Sequence, residues 1–283
     1  MIKYKVKAGN EYLQTFASKT ESDMVLLFLH GGPGSGAWPL IMHEAMQKLC
    51  DKYRCVFYDQ RGCGLSYYDL KQGISFEECM QDVVCVAKDI RERFPCKSLL
   101  LCAEDLSGFL ALQTQHHNAD VFDGMILMNP ILLLTSEASD AFYRMLKHRA
   151  LERGNNELKK FVTILEDQTP VQFFQNQHVN QWIHSDKNTS VPLRHIAAIS
   201  SWLFDHPSED ALHDVTVPTL LMQGSEDVIA KEGYIIDALV RMKNPFLVYE
   251  SFPYSGRKIY EDQPLQFLER IDKFLKEEFL WNS

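Results

Sequence analysis

The chain has 283 residues, of which 46% are hydrophobic and 11% aromatic, so it carries enough apolar side chains to build a large folded core. Its 29 lysines and arginines against 38 aspartates and glutamates give a net charge of −9. This balance argues against a nucleic acid partner, because phosphate groups bind to cationic surfaces. No run of about 18 apolar residues is present, so we predict no membrane-spanning helix and no membrane partner.

The predicted elements alternate between strands and helices. Polar and apolar residues alternate over residues 1–7, which predicts a first strand rather than a signal peptide, and we therefore expect a cytoplasmic protein. Short apolar runs predict buried strands at 24–29, 54–58, 98–102, 124–128, 219–222 and 246–249. Longer segments of mixed polarity predict helices at 39–50, 75–94, 107–117 and 264–281. This alternation is typical of an α/β fold with a parallel sheet covered on both faces.

The alternation breaks between residues 131 and 214. This stretch contains no convincing strand, and its pattern predicts helices at 140–153, 156–166 and 191–204. A helical insertion of this size in an α/β sheet usually covers the crevice at the strand ends. We therefore predict a core domain of residues 1–130 and 215–283, with a helical cap domain of residues 131–214.

Seven cysteines lie within the first 102 residues, at positions 50, 55, 63, 79, 85, 96 and 102. An odd number without a Cys-x-x-Cys pair fits neither a disulfide framework nor a zinc ribbon. We predict reduced thiols that pack in the core. We also predict no metal ion and no cofactor.

Two glycine-rich turns follow predicted strands. The first is His-Gly-Gly-Pro-Gly at 30–34, and the second is Asp-Gln-Arg-Gly-Cys-Gly-Leu-Ser at 59–66. Glycines directly after a strand allow a sharp turn that directs backbone N–H groups into a cavity, as an oxyanion hole requires. Together the two motifs resemble the α/β-hydrolase superfamily and, within it, the proline iminopeptidase-like branch.

This resemblance implies an α/β-hydrolase fold, a mostly parallel sheet flanked by helices with an inserted helical cap, and a hydrolase of the serine type. It implies that the N–H groups of Gly32 and Leu106 form the oxyanion hole. It also assigns a supporting loop, consisting of His30, Gly31, Pro33 and Gly34.

The nucleophile position of this resemblance is occupied by Asp105 rather than by serine. The family pattern places small residues around the nucleophile because the strand-to-helix turn is tight, and Ala103, Ser107 and Gly108 match those positions. An alternative is that Ser107 is the nucleophile. That alignment would put Asp105 and Phe109 where small residues are required, and Ser107 is more simply a packing or capping residue.

The remaining triad positions are Asp227, in the position of the acid, and Arg257, in the position of the histidine base. Serine hydrolysis needs an imidazole that accepts and then returns a proton, and a guanidinium stays protonated at any working pH. Relatives with an aspartate nucleophile still use the histidine to activate water. The simplest interpretation is an ion cluster in which Arg257 lies between the carboxylates of Asp105 and Asp227.

We therefore predict a pseudo-hydrolase, or a protein that binds a small molecule or short peptide in the crevice between core and cap. One alternative is an enzyme that uses Asp105 as a general base, or Arg257 as an anion clamp, in a step without an acyl-enzyme. Another is an aminopeptidase or esterase whose missing base is replaced by a cap residue.

Overall fold

The computed structural model describes residues 1–31, 36–68, 73–132, 195, 198–199, 202, 206 and 208–280. The strands are Ile2–Ala8 (β1), Glu11–Ala17 (β2), Met24–Leu29 (β3), Arg54–Tyr58 (β4), Ser98–Glu104 (β5), Gly124–Met128 (β6), Thr219–Gly224 (β7) and Leu247–Phe252 (β8). They form one sheet in the order β1-β2-β4-β3-β5-β6-β7-β8. β2 is antiparallel to both of its neighbours, and every pair from β4 to β8 is parallel.

The central strands are buried along their whole length. Every residue of β3, β4, β6 and β7 is buried, which explains why these strands appear in the sequence as apolar runs without alternation. The structure confirms the predicted α/β fold with a mostly parallel sheet.

Helices cover both faces of the sheet. In the described residues they are Trp38–Met42 (α1), Glu44–Lys52 (α2), Phe76–Arg93 (α3), Leu106–His117 (α4), Ser208–His213 (α5), Glu232–Met242 (α6), Ile259–Asp262 (α7) and Pro264–Leu275 (α8). The apolar side chains of α3, α4, α5 and α6 belong to one core cluster, and those of α1, α2, α7 and α8 belong to the other. The result is a three-layer arrangement of helices, sheet and helices. None of the described helices is long and apolar enough to cross a bilayer.

Several elements differ from the sequence prediction. β2 was not predicted because it combines apolar residues with Gln14 and Thr15, both of which are buried and hydrogen-bonded. α6 was not predicted either. The final helix ends at Leu275 and continues as a π-helical turn over Lys276–Leu280.

The predicted cap lies mostly outside the described residues, including its predicted helices at 140–153 and 156–166. Four residues of the third predicted cap helix are described and helical: His195, Ala198, Ile199 and Trp202. Ala198 and Ile199 are buried in the same core cluster as α3 and α4. The division into core and cap stays a prediction.

Candidate functional site

Asp105 occupies a strained turn between β5 and α4. Its backbone has φ 61° and ψ −135°, a conformation that costs a non-glycine residue about 1–3 kcal/mol. The backbone N–H of Asp105 donates to Met128 (3.2 Å), and its carbonyl accepts from Gly108 (3.0 Å) and Ile131 (2.9 Å). This is the geometry of a nucleophile elbow, in which a strained residue between strand and helix presents its side chain at the sheet edge.

Ser107 lies two residues after Asp105, in the first turn of α4. Its hydroxyl donates to the carbonyl of His30 (2.7 Å) and accepts from the side-chain amide of Gln60 (2.8 Å). The residue is buried and both hydrogen bonds involve its hydroxyl. Ser107 therefore connects the segments that follow β3, β4 and β5. This arrangement favours the structural interpretation of Ser107 over the nucleophile alternative.

Two glycines allow the backbone to pack closely around the elbow. A Cβ at Gly108 would lie 2.4 Å from the Cβ of Pro130, and a Cβ at Gly31 would lie 2.9 Å from the Cβ of Asp105. Real Cβ atoms do not approach so closely, so both positions require glycine. Of the small residues that the sequence pattern identified, Gly108 therefore has a direct steric reason.

Arg257 forms an ion pair with Asp105, between Nη2 of the guanidinium and Oδ2 of the carboxylate. The Arg257 side chain is 21% exposed and the Asp105 side chain is 12% exposed, so solvent screens this pair only weakly. The other carboxylate oxygen of Asp105, Oδ1, is buried and has no hydrogen-bond partner within the described part of the chain. The structure thus brings together the residues that the resemblance assigns to the nucleophile and base positions.

Asp227 follows β7 and is held by neutral donors. Its Oδ2 accepts from the side-chain amide of Asn129 (3.0 Å), and its Oδ1 accepts from the backbone N–H groups of Ile229 (2.8 Å) and Ala230 (3.2 Å). Asn129 also donates to the carbonyl of Gly256 (3.2 Å), next to Arg257. Asn129 therefore ties the acid turn to the Arg257 turn, a contact that sequence reasoning missed because Asn129 matches no motif.

Glu104 is a second residue that sequence reasoning missed. One of its carboxylate oxygens accepts from the backbone N–H of Gly31 (2.8 Å) and the other from the hydroxyl of Tyr260 (2.7 Å). Burial raises the pKa of Glu104, and these two hydrogen bonds partly oppose that shift. The sequence signal that could have identified Glu104 was its position in the elbow pattern, between Ala103 and Asp105. Glu104 joins the turn after β3, the elbow and helix α7.

The two glycine-rich motifs support each other. His30 is buried, and its Nε2 accepts from the backbone N–H of Gln60 (3.1 Å). Burial lowers the pKa of His30 to about 4, so the ring is neutral at pH 7 and Nε2 can accept this bond. The Asp59 carboxylate accepts from the backbone N–H groups of Ala37 (2.7 Å) and Leu65 (2.7 Å). The 59–66 motif therefore anchors both His30 and Ala37.

The oxyanion-hole assignment stays a prediction. Gly32, Pro33 and Gly34 lie outside the described residues, so the structure locates only Leu106 of the proposed pair. Leu106 is buried and is the first residue of α4, directly after Asp105. A cavity of about 20 Å³, with room for about one water molecule, lies against Leu106 and Ser107.

His195, a predicted cap histidine, is buried beside this cavity rather than paired with a triad position. Its Nε2 donates to the carbonyl of Arg61 (2.9 Å), while the thiols of Cys79 (3.8 Å) and Cys63 (3.9 Å) lie at its two ring nitrogens. Burial lowers the pKa of His195, which keeps the ring neutral. These contacts indicate that His195 attaches its segment to the core.

Arg61, from the second motif, makes a two-bond ion pair with the carboxylate of Asp82 in α3 (3.0 and 2.7 Å). It also pairs with Glu78 (3.1 Å). Because Arg61 and Asp82 are both buried, the pair fixes the 59–66 turn against α3. No group of three or more metal-ligating side chains occurs in the described part of the chain.

An elbow between β5 and α4, an acid turn after β7 and a third turn after β8, all at the carboxyl edge of this sheet, define an α/β-hydrolase. More specifically, the model of the serine aminopeptidase S33 family matches residues 20–246, and the chain belongs to that family.

Individual relatives support the same branch. The chain is 25% identical over 228 residues to a proline iminopeptidase of Lactobacillus acidophilus, covering 72% of this chain and 74% of the relative. It is 23% identical over 296 aligned positions to a proline iminopeptidase of Lactobacillus crispatus, covering 94% and 95% of the two chains. The solved structure of a proline iminopeptidase from Mycobacterium smegmatis superposes with a TM-score of 0.66 over the full length of both chains, at 17% identity.

Proposed function

We propose that the protein is a pseudo-hydrolase that retains the α/β-hydrolase site as a binding site for a small molecule or short peptide. The ion pair between Asp105 and Arg257 carries this proposal, because it occupies the positions at which a serine hydrolase needs a hydroxyl and an imidazole. The ligand would occupy the crevice between the core and the predicted cap. A reducing compartment such as the cytoplasm suits a chain whose seven cysteines are all free thiols.

The chemistry of the pair excludes the usual acyl-transfer cycle at these two residues. Acyl transfer needs a base that removes the proton of the nucleophile and returns it to the leaving group, and Arg257 has no lone pair to accept a proton. A carboxylate at Asp105 could attack an alkyl carbon. The resulting ester would then persist, because Arg257 cannot activate the water that hydrolyses it.

The supporting framework favours a retained binding site over a collapsed one. Asp227 keeps three hydrogen-bond donors, and Glu104 keeps Gly31 and Tyr260. Asp105 keeps a strained backbone, although its carboxylate is not paired with a base that could support catalysis. Strain of this kind persists where the surrounding structure specifies it, as in sites that hold a ligand.

The test restores the two residues that the family pattern calls for. The wild-type chain and the Asp105→Ser/Arg257→His double variant are assayed on N-terminal prolyl amides and short aryl esters. We expect no turnover from the wild type and measurable ester hydrolysis from the double variant, because Asp227 and the elbow are already in place. The Asp105→Ser single variant is the matched control, since it supplies a hydroxyl without a base.

Turnover by the wild type that depends on Asp105 would overturn the proposal. A folded double variant that is as inactive as the single variant would contradict the retention of the hydrolase site. Binding is tested separately by screening the wild type against prolyl peptides and aryl esters with thermal shift, where stabilisation that is lost in Asp105→Ala supports the proposed crevice.

A further inference from the structure

A group of histidine and tryptophan rings lies at the carboxyl end of α4. The rings of Trp202 and His206 are stacked, with centroids 3.8 Å apart and planes 9° from parallel. The ring of His117, in the last turn of α4, meets both of them edge-on, at 5.4 Å from Trp202 and 5.5 Å from His206. The ring of His116 meets His117 edge-on at 4.8 Å. These four residues are referred to below as the α4 ring cluster.

Hydrogen bonds attach Trp202 and His206 to α4. The side-chain amide of Gln113, which is buried in α4, accepts from the indole Nε1 of Trp202 (3.3 Å) and donates to the backbone carbonyl of His206 (3.3 Å). His206 Nδ1 donates to the carbonyl of Trp202 (3.2 Å), which orients the imidazole over the indole. The ring of Phe76, the first residue of α3, also contacts the indole, at 5.4 Å between centroids. Trp202 is therefore fixed by side chains of both α3 and α4.

The α4 ring cluster has few negative charges to balance protonated rings. His116 Nδ1 lies 3.7 Å from Oδ2 of Asp214, but this carboxylate also pairs with His213 Nδ1, at 2.8 Å from Oδ1. No carboxylate in the described part of the chain forms an ion pair with His117 or His206. The titratable groups that act on His117 are His116 and His206. Full protonation would thus place four positive rings around one carboxylate.

Protonation affects His206 and His117 differently. An imidazolium at His206 lies on the face of an indole, where a cation–π attraction stabilises it. A proton on His117 instead places its charge between two rings that titrate in the same pH range. Burial lowers the pKa of His117, and His116 and His206 add to this shift. The packed state of the cluster therefore disfavours the charged form of His117.

We propose that the α4 ring cluster is a pH-sensitive latch, which holds Trp202 and His206 against α4 at neutral pH and releases them when its histidines are protonated. After release, His117 returns to the ordinary pKa of a solvated histidine, so the released state binds more protons than the attached state. A fall in pH through the histidine range therefore shifts the equilibrium toward release.

Release would affect the cavity beside the elbow. Phe76 contacts Trp202 and also lines that cavity together with Leu106. The loss of the indole would expose Phe76 to solvent, so the latch would couple pH to the accessibility of this cavity. The change would be local, because other described residues of the same segment are held by separate buried contacts: His195, Ala198 and Ile199.

Tryptophan fluorescence and acrylamide quenching test the proposal on the full chain, titrated from about pH 7.5 to about pH 5. The chain has four tryptophans, so the signal of Trp202 is obtained as the difference between the wild type and a Trp202→Phe variant. We expect this signal to shift to longer wavelength, and its acrylamide quenching constant to rise roughly twofold or more, as the pH falls. Far-UV circular dichroism, recorded in parallel, should stay constant.

Two variants identify the group that titrates. His117→Phe keeps an edge-on ring without a charge, so Trp202 should stay protected over the whole range. His213→Gln is the matched control, because His213 titrates beside the same Asp214 but is outside the α4 ring cluster, and its transition should match that of the wild type.

Three results would overturn the proposal. The first is a wild-type Trp202 signal that stays protected down to about pH 5, or that changes only together with global unfolding. The second is a loss of emission without greater access for acrylamide, because an imidazolium stacked on an indole quenches its emission without release. The third is a transition in His117→Phe equal to that of the wild type. The first two results come from the wild type, so the test remains decisive even if His117→Phe does not fold.

Discussion

The ion pair between Asp105 and Arg257 should contribute measurably to folding stability, and a double-mutant cycle can isolate its contribution. Asp105→Asn keeps the shape of the side chain and removes its charge, while Arg257→Met keeps most of the length and removes the guanidinium. The cycle compares the two single variants with the double variant. The double variant removes both charges and leaves neither one without a partner.

The expected magnitude follows from burial. Exposed ion pairs contribute about 0.2–1 kcal/mol, and removing one partner of a fully buried pair costs about 3–5 kcal/mol. Since the two side chains are 21% and 12% exposed, we place the cost of Arg257→Met at about 2 kcal/mol and the coupling energy at about 1.5 kcal/mol. Part of that cost arises because Asp105 Oδ1 has no hydrogen-bond partner among the residues that the structure describes, so that the loss of Arg257 would leave the carboxylate without its ion-pair partner as well.

Urea unfolding followed by circular dichroism measures each variant, with the slope of the transition checked for constancy. The pair between Glu44 and Lys48 on α2 serves as the control, because its side chains are 79% and 48% exposed. We expect a much smaller coupling there, because solvent screens an ion pair whose two side chains are exposed. A coupling at Asp105 and Arg257 no larger than this control would refute the argument that the two residues form a desolvated pair.

Two further predictions concern the framework around the site. His30 has a pKa of about 4 in the folded protein against 6.5 for an unperturbed histidine, so the folded state binds fewer protons between these values. The free energy of unfolding should therefore fall as the pH drops from 6.5 to 4, and His30 should account for up to about 3 kcal/mol of this fall. In a His30→Asn variant, the free energy of unfolding should depend less steeply on pH over this range. Gly108→Ala should destabilise the protein by about 2 kcal/mol or more, because its Cβ would meet Pro130, as calorimetry can measure. Gly233→Ala is the matched control, since a Cβ at this position meets nothing within 4 Å. This substitution should be neutral or should stabilise the protein by about 0.5–1 kcal/mol. Equal losses of stability in the two variants would contradict the steric argument.

The parts of the fold that the sequence predicted well are those in which burial dominates. β3, β4 and β6 match their predicted bounds because a strand buried on both faces appears as an uninterrupted apolar run. β2 was missed because Gln14 satisfies its side chain through bonds to Tyr4 and Thr15, which hydropathy cannot detect. Long-range hydrogen bonds of this kind are decided by the folded structure and leave no local pattern.

The candidate site divides in the same way. The predictions for Asp105, Asp227 and Arg257 rest on tight turns and family motifs, which restrict the residues around these positions. Glu104 and Asn129 could not be assigned, since their roles depend on which loops meet at the sheet edge. Glu104 contacts a residue 156 positions away in the chain, and Asn129 contacts one 98 positions away.

The central claim is that the Asp105–Arg257 site performs no hydrolysis. The most direct measurement compares the purified wild-type chain with its Asp105→Ala variant on short aryl esters and N-terminal prolyl amides, at concentrations high enough to detect slow turnover. We expect both proteins to give the same background rate. A wild-type rate above background that disappears in Asp105→Ala would contradict it.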